Sequence, residues 1–280
     1  MNSWRTPRCL TRQAGYDPPT PSDPSISALP VILFEHPFNE RVRTYLRLEH
    51  LFRRFEVLVQ RDHPIDHHFG FATLFEIVEV GGRSDLKSDI LKDLERHKQQ
   101  FQSYRGNPSV SEKMLDQLLG RIDESFESFN TASTRINQFV NDNEWLSALR
   151  NRLAIPGGTC SFDLPSYHCW QQHSPQQRRD DIIRWSEPLR PLHACIDLLM
   201  GLLREGGSAQ KVMAASGQFQ QNLPQGRFQL MRLRIDPTLN VVPEISGNRM
   251  MVSVRMMVQD DTGHLHPCSH DVPFEMGLCG

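Results

Sequence analysis

The fold is decided by two stretches near the end of the chain, FQLMRLRI (Phe228 to Ile235) and RMMVSVRMMV (Arg249 to Val258). These stretches and the segment Asn240 to Ile245 are rich in β-forming residues that alternate with a period of two. Ser246-Gly247-Asn248 has the composition of a hairpin turn. The sequence therefore predicts a small antiparallel sheet beyond about Lys211.

Before Lys211 the apolar residues recur with the period of a helix. The first predicted helix runs from an N-cap at Asn39 to about Arg61. Further helical segments are expected at Ile65 to Val80, Ser84 to Phe101 with Ser84 as the cap, Ser111 to Phe129, and Ser133 to Leu153 with a break near Asn141. After these come a short segment from Pro165 to Trp170, a helix opened by Ser174-Pro175, and a helix from Pro188 to Arg204. This part of the chain is therefore expected to be almost entirely α-helical.

A short apolar run precedes the first helix. It is LPVILF, residues 29–34, which is typical of a buried strand. Helices followed by strands indicate an α+β architecture, and the early strand is free to join the later sheet. The expected organisation is a flexible Pro/Ser-rich tail over residues 1–30, a helical domain over 31–210 that includes the strand at 31–36, and a β domain over 211–280.

The amino-acid composition bears on whether the chain belongs to a membrane-spanning, secreted or cytoplasmic protein. The 280-residue chain has a net charge of -2 and a mean hydropathy of -0.47. Its longest apolar stretch is interrupted by His193 and Asp197, so no membrane span is expected. The N-terminal residues lack the apolar run of a secretory signal, which favours a cytoplasmic protein. The six cysteines form no CxxC pair and are expected to be reduced.

Arginine supplies most of the positive charge, with 26 arginines against 5 lysines. On the first predicted helix, the helical spacing gathers five basic residues opposite the apolar face, namely Arg43, Arg47, His50, Arg54 and Arg61. In the β region, alternation and an expected neighbouring strand predict a second basic surface, formed by Arg249, Arg255, Arg232 and Arg234. Since Glu49 and Glu56 lie off the first stripe, an anionic partner is indicated.

The chemistry of arginine suits two kinds of anionic partner. A guanidinium group presents a planar fork that fits both carboxylates and phosphates. The net charge is unfavourable for strong nucleic-acid binding, and the chain lacks the exposed aromatic residues on which single strands stack. An acidic peptide is therefore the better-matched ligand, and nucleic-acid binding through the arginine surfaces is kept as an alternative.

The usual enzyme signatures are missing, since the chain contains no GxxxxGK[ST], GxGxxG, HExxH or GxSxG motif. The best remaining candidate for catalysis is a hydrolase site built from Cys160, Ser161, Asp163 and His168, which supply a nucleophile, an acid and a base. The simpler interpretation is structural. In that interpretation Asp163 is the N-cap of a short helix that has proline near its start, and Ser161 belongs to a turn.

Two histidine-rich segments have the composition of metal sites. His264, His266, Cys268 and His270 alternate along the chain, but Pro267 lies among them and favours an exposed, irregular edge. The other segment, His63 to His68, lies at the expected start of a helix, where polar residues are ordinary. We expect no structural metal and no cofactor.

Four motifs resemble, in order and spacing, the ZapD family of bacterial cell-division proteins, which is also called the YacF family. They are LFEHPFNERVRTYLRLEHL (33–51), LKDLERHKQQ (91–100), IPGGTCSFDLPSYHCW (155–170) and VPEISGNRMMVSVRMM (242–257). The resemblance runs from about Val31 to Val258. The long IPGGTCSFDLP motif is the most specific of the four.

The resemblance implies a cytoplasmic, non-enzymatic protein that is a homodimer at the midcell division ring. Members of this family bind the C-terminal tail of the tubulin-like protein FtsZ through a positively charged surface, and thereby bundle FtsZ filaments during septation. The matching basic positions in this chain are Arg47, Arg83, His168 and Arg255. The sequence departs from the family pattern at Glu144 and Met251, where related chains carry arginine.

Overall fold

The computed structural model describes residues 31–132, 136, 138–223, 228–248 and 250–280. The predicted tail over 1–30, the start of the predicted strand at 29–34 and part of the helix predicted from Ser133 lie outside these residues. The described chain is α+β, with helices in its first part and antiparallel sheets in its last part, as predicted.

Helices account for most of the chain between Glu40 and Glu205. Their bounds are α1 Glu40–Gln60, α2 Pro64–Gly81, α3 Ser84–Gln102, α4 Glu112–Ala132, α5 Gln138–Asn141, α6 Glu144–Leu153, α7 Pro165–Gln171, α8 Pro175–Ser186 and α9 Arg190–Glu205. The predicted break near Asn141 is confirmed, because α5 and α6 are separate helices. None of the described helices is both long and apolar enough to cross a membrane.

Local capping explains where several of these helices begin. The Asn39 side chain accepts a hydrogen bond from the backbone N–H of Val42, so the predicted cap of α1 is confirmed. Ser174 and Gln177 form a reciprocal capping box at the start of α8. The predicted cap at Ser84 is wrong, because Ser84 is already helical and Arg83 occupies the cap position without a capping side chain.

The helical core is centred on α2, which is buried along most of its length. Phe71 of α2 packs 5.2 Å from the ring of Trp170 and 5.5 Å from that of Trp145, measured between ring centroids. Trp145 in turn stacks on Trp185 at 4.7 Å. Such a group of large apolar rings holds α2, α6, α7 and α8 together by removing their surfaces from water.

A buried arginine ties the far end of α1 into this core. Arg178 of α8 is 3% exposed, and its Nε donates to Nδ1 of His67 at 3.0 Å. Its other nitrogens donate to the backbone carbonyls of Gln171, His173 and Asp62. The guanidinium group therefore satisfies acceptors on two loops and on α2 at once, which secures the turn between α1 and α2.

The strands form two sheets rather than the single sheet that we predicted. Their bounds are β1 Ile32–Pro37, β2 Ser208–Ala214, β3 Gln218–Asn222, β4 Leu230–Ile235, β5 Val242–Gly247, β6 Met251–Gln259, β7 Leu265–Pro267 and β8 Val272–Cys279. One sheet has the order β1-β4-β8-β2, and the other has the order β3-β6-β5 with β7 paired to β6. The predicted hairpin at Ser246-Gly247-Asn248 joins β5 to β6.

The two sheets share one apolar core, to which each contributes alternate residues of its strands. The main contributors are Met231, Leu233 and Ile235 of β4, Val252, Val254 and Met256 of β6, and Val272, Phe274 and Met276 of β8. The early strand β1 joins this structure, since Ile32 pairs with Ile235 in an antiparallel register. The prediction that the first strand joins the sheet is therefore confirmed, but the prediction that it is buried is wrong, since β1 is an edge strand with Ile32 and Leu33 exposed.

An ion-pair network connects the sheet to the helices. Arg204 of α9 contacts both Glu35 of β1, at 2.6 Å, and Glu49 of α1, at 2.7 Å. Arg232 of β4 lies 3.0 Å from Glu35. Burial on its own raises the pKa of Glu49, but the hydrogen bond and charge of Arg204 outweigh this effect and lower it. These four groups therefore form a balanced cluster of two acids and two bases, which we call the junction cluster.

Four histidines should make the stability of the protein depend on pH. Burial is the main cause that lowers the pKa values of His36, His67, His68 and His97 below the ordinary value of 6.5. Each group is held neutral in the folded state but takes up a proton in the unfolded state below its ordinary pKa. The unfolded state thus binds more protons, and stability falls as the pH drops below about 6.5.

We therefore expect urea denaturation to give a lower free energy of unfolding at pH 5.5 than at pH 7.5, by about 1 kcal/mol or more. The variant His67→Gln is expected to reduce the difference between the two pH values, whatever it does to stability at pH 7.5. Equal stability of the wild-type protein at the two pH values would contradict the expectation.

Candidate functional site

The predicted basic stripe on α1 is exposed at its beginning. The side chains of Arg43 and Arg47 are 45% and 61% exposed. Both point toward Glu40, with N–O distances of 3.3 Å for Arg43 and 3.8 Å for Arg47. Ion pairs that are this long and this exposed hold the side chains weakly. The two guanidinium groups are therefore accessible to a ligand that carries negative charge.

Acids reach other parts of the stripe from neighbouring elements, which the sequence pattern did not show. Arg54 donates to the hydroxyl of Thr73 at 2.9 Å and to Glu76 of α2 at 2.7 Å. Arg61, at the end of the stripe, lies 3.4 Å from Asp66. Within the stripe, Arg54 is therefore firmly engaged with α2, whereas Arg61 is held no more tightly than Arg43.

A groove runs between α1 and α2 along the stripe from Arg43 to Arg54. Its volume is about 640 Å³. The residues that line it are Pro37, Arg43, Leu46, Arg47, His50, Leu51, Arg54, Glu76, Glu79 and Val80. Three of the predicted binding arginines therefore face one concave surface. A groove of this kind between two helices is a common place for a peptide to bind.

Arg83 lies between α2 and α3, at the cap position of α3. Its guanidinium group donates to Asp85 at 2.8 Å, and this hydrogen bond is the main cause that raises the pKa of Arg83. Glu40 also acts on Arg83 through its charge. Glu40 is thus contacted by two predicted site residues, Arg43 and Arg47, whereas the third, Arg83, pairs with Asp85. We call these three residues the α1 arginine cluster.

The arginines predicted to form the second basic surface are not on neighbouring strands. Arg232 and Arg234 belong to β4 of one sheet, whereas Arg255 belongs to β6 of the other. Arg232 is part of the junction cluster, and Arg234 lies 3.8 Å from Glu275. The expectation of one continuous surface is wrong because pairing between distant strands, which local alternation does not reveal, placed β4 and β6 apart.

Arg255 points away from the apolar core into solvent, because Val254 and Met256 on either side of it point inward. Its cross-strand neighbours are Gln218 of β3 and Glu244 of β5. Arg249, the remaining predicted residue of this surface, lies outside the described residues. Arg255 is thus the exposed arginine on the described outer face of this sheet.

The IPGG segment forms a tight loop between α6 and α7. Gly157 has a positive φ of 71°, and a Cβ on Gly158 would lie 2.6 Å from the carbonyl oxygen of Arg152. Phe162 is 83% exposed on this loop. His168 follows on α7, where its side chain is exposed. The loop therefore has a constrained backbone that presents Phe162 to solvent, and the helix after it presents His168.

Asp163 does not cap α7, so that prediction is wrong. The cap position is occupied by Leu164, without a capping side chain. One carboxylate oxygen of Asp163 accepts from the thiol of Cys160 at 3.3 Å, and the other lies 3.3 Å from Arg152. Asp163 therefore braces the loop from within instead of starting the helix.

The comparison with known protein families agrees with this architecture. A model of the ZapD family, which is described as a cell division protein, matches residues 46–255. The chain belongs to the ZapD family. The match covers most of the chain, from α1 to β6, and includes Arg47, Arg83, His168 and Arg255. Arg43 precedes the matched range. The chain is therefore a member of a family of cell division proteins.

The alternative hydrolase site has little geometric support within this ZapD family fold. Cys160 donates to Asp163, which is the acid of the candidate set, instead of to a base. In the described part of the chain, the ring of His168 makes no hydrogen bond to Cys160 or Ser161. A nucleophile needs a base within hydrogen-bond reach, and this arrangement does not bring the two together.

The histidine-rich segment at His264 to His270 lies on the edge strand β7 and the loop after it, where it is mostly exposed. His266 lies 2.8 Å from Asp260, and Cys268 contacts His270 at 3.3 Å. The described residues contain no group of three or more side chains placed to hold a metal ion. Five cysteines, from Cys160 to Cys279, are free thiols in the described chain.

Proposed function

We propose that this chain is a cytoplasmic adaptor of the division machinery that binds the C-terminal tail of FtsZ and cross-links FtsZ filaments at the midcell ring. Membership of the ZapD family supports a role in division. The α1 arginine cluster supports the choice of an acidic peptide as the ligand. The single observation that carries the proposal is that two exposed arginines of one groove, Arg43 and Arg47, share one weakly held acid, Glu40.

The charge balance of this cluster favours an anionic ligand. Arg43 and Arg47 share one acid, Glu40, and Arg83 pairs with Asp85, so three arginines face two acids. The contacts of Arg43 and Arg47 with Glu40 are long and exposed, so little free energy is lost when a ligand carboxylate replaces them. Contacts between arginine and carboxylate that become partly desolvated contribute about 1.5 to 3 kcal/mol each.

The proposed footprint extends from this cluster to the other predicted basic positions. Arg54 contributes at the far end of the groove, and His168 and Arg255 are further exposed basic positions. Arg232 supports the fold through the junction cluster, so its proposed contribution to binding is indirect. Arg249 remains in the proposed footprint on the basis of the sequence alone.

Charge reversal tests this site directly. We expect Arg47→Glu and Arg255→Glu each to weaken binding of a labelled FtsZ tail peptide at least tenfold, with an unchanged circular-dichroism spectrum, because both side chains are exposed. Arg47→Lys should weaken peptide binding less than Arg47→Glu, since lysine keeps the positive charge but not the planar fork. Fluorescence anisotropy of the peptide at increasing salt should show progressively weaker binding.

The matched control is Arg121→Glu, which makes the same change of charge at an exposed position on α4. Equal losses for Arg121→Glu and Arg47→Glu would mean that diffuse charge, and not a defined site, binds the tail. A random oligonucleotide is titrated in parallel. Tight binding of the oligonucleotide, with no response to the peptide, would favour the alternative function of nucleic-acid binding.

The proposed cross-linking also requires at least two tail sites in one particle. A homodimer with twofold symmetry supplies them from a single gene product. We therefore expect light scattering at micromolar protein to give twice the chain mass of 32.3 kDa. A mass that stays at the monomer value at every concentration would contradict the cross-linking mechanism, although it would leave tail binding intact.

A further inference from the structure

The groove between α1 and α2 carries more than positive charge. Along its α1 side lie Arg43, Arg47 and His50. Along its α2 side lie Glu76 and Glu79, both exposed. The groove therefore has a basic wall and an acidic wall that face each other.

The floor between these walls is apolar. Leu46 and Val80 are half-buried, so each keeps part of its side chain accessible from the groove, and Leu51 lies beneath them at 7% exposure. Such a floor gains free energy when an apolar side chain covers it and displaces water. The groove therefore offers an apolar anchoring position in addition to its charges.

The two glutamates of the acidic wall are not equivalent. Glu76 is engaged by Arg54 at 2.7 Å. Glu79, one turn further along α2, has no ion-pair partner in the described part of the chain. A ligand that carried only acids would place like charge against Glu79, which opposes binding.

We infer that the groove recognises a mixed-charge amphipathic segment, in which an apolar side chain covers Leu46 and Val80, an acidic residue faces Arg43 and Arg47, and a basic residue faces Glu79. This inference rests on the proposed function for the identity of the natural ligand. To that function it adds the pattern of charged and apolar residues by which the groove selects the ligand. Glu79 and Val80 are then specificity-determining residues. The charge pattern fixes the direction in which the segment lies, because the reversed orientation opposes like charges on both walls.

The decisive variant is Glu79→Lys, because the two kinds of ligand predict opposite results. A purely acidic tail binds a more basic groove more tightly. A mixed-charge segment loses its basic contact and meets repulsion instead, so we expect binding to weaken about tenfold. Glu124→Lys, the same change at an exposed position on α4, is the matched control and should have little effect. Val80→Thr keeps the shape of the floor but adds a hydroxyl group, and should weaken binding about fivefold.

Two peptides serve as probes, each titrated by fluorescence anisotropy. One is the FtsZ tail peptide. The other is a synthetic peptide of about twelve residues, enough to span the helical length from Arg43 to Arg54, with aspartate on one side of a leucine and lysine on the other. A second version of the synthetic peptide replaces the lysine by glutamate. It should bind the wild-type protein weakly and regain affinity for Glu79→Lys.

The outcomes separate this inference from the proposed function. If Arg47→Glu weakens binding of the tail peptide but Glu79→Lys leaves it unchanged or tightens it, the inference is overturned and the proposed function stands. If the tail peptide does not bind but the synthetic peptides show the charge exchange, the inference stands and the proposed ligand is wrong. If no peptide binds the wild-type protein, both are overturned. The melting temperature of each variant is measured as a check that the fold is retained.

Discussion

Replacement of Arg204 by methionine is expected to lower the free energy of unfolding by about 3 kcal/mol or more. The reason is that Glu35 and Glu49, whose side chains are 14% and 16% exposed, both depend on this guanidinium group. In the variant, Glu35 still pairs with Arg232, whereas Glu49 keeps a largely buried charge without its close partner. Urea denaturation at pH 7.5, followed by circular dichroism, measures the loss.

The control for this experiment lies on the same helix. Arg190 is 78% exposed and pairs with Glu187 at 3.2 Å, so Arg190→Met removes a surface ion pair and should cost less than 1 kcal/mol. The double variant Arg204→Met, Glu49→Gln should recover part of the loss, because it removes the unpaired charge. Equal effects at Arg204 and Arg190 would show that the junction cluster contributes no more than a surface pair.

Replacement of Arg178 by methionine is the second change expected to have a large effect, also about 3 kcal/mol of unfolding free energy. The variant leaves Nδ1 of His67 and the carbonyls of Gln171, His173 and Asp62 without their buried donor. Arg178→Lys should restore only part of the lost unfolding free energy, since an ammonium group cannot donate to all of the acceptors that are arranged around the planar guanidinium group. Thermal unfolding provides the measurement.

Arg184→Met, on the same helix but with a side chain that is 68% exposed, is the matched comparison and should change stability by less than 1 kcal/mol. The His67 interaction adds a second readout. Without the nearby guanidinium charge, protonation of His67 is less unfavourable, so the pH dependence of stability should become shallower in Arg178→Met. A variant with wild-type stability would mean that water replaces the lost donors without cost.

Much of the helical part could be predicted from the sequence because its signals are local. The cap at Asn39, the capping box opened by Ser174 and the break near Asn141 depend on residues within one turn of each other. The division of the strands between two sheets could not be predicted in this way. It depends on pairings such as that of Lys211 with Glu275, which join segments far apart in the chain.

The candidate site shows the same difference between local and distant signals. Helical periodicity found the face that carries Arg43 and Arg47, because that face is a property of one helix. It missed Glu76 and Glu79, which come from α2 and change the groove from a basic stripe into a surface with two signs of charge. The role of Asp163 could not be predicted for a related reason, since its partner Arg152 lies on the preceding helix.

The pairing of β1 with β4 has a consequence for the order in which the protein is made. Ile32 leaves the ribosome long before its partner Ile235, and α1 to α9 are synthesised between them. The helices have their contacts available early, whereas β1 must wait with its backbone unpaired until β4 emerges. During this interval Ile32 and Leu33 of β1, together with Val31 before it, form an apolar segment on which a chaperone can act. The two packed sheets are therefore expected to form last, and a nascent chain arrested before Leu230 should be more prone to aggregate than the complete protein.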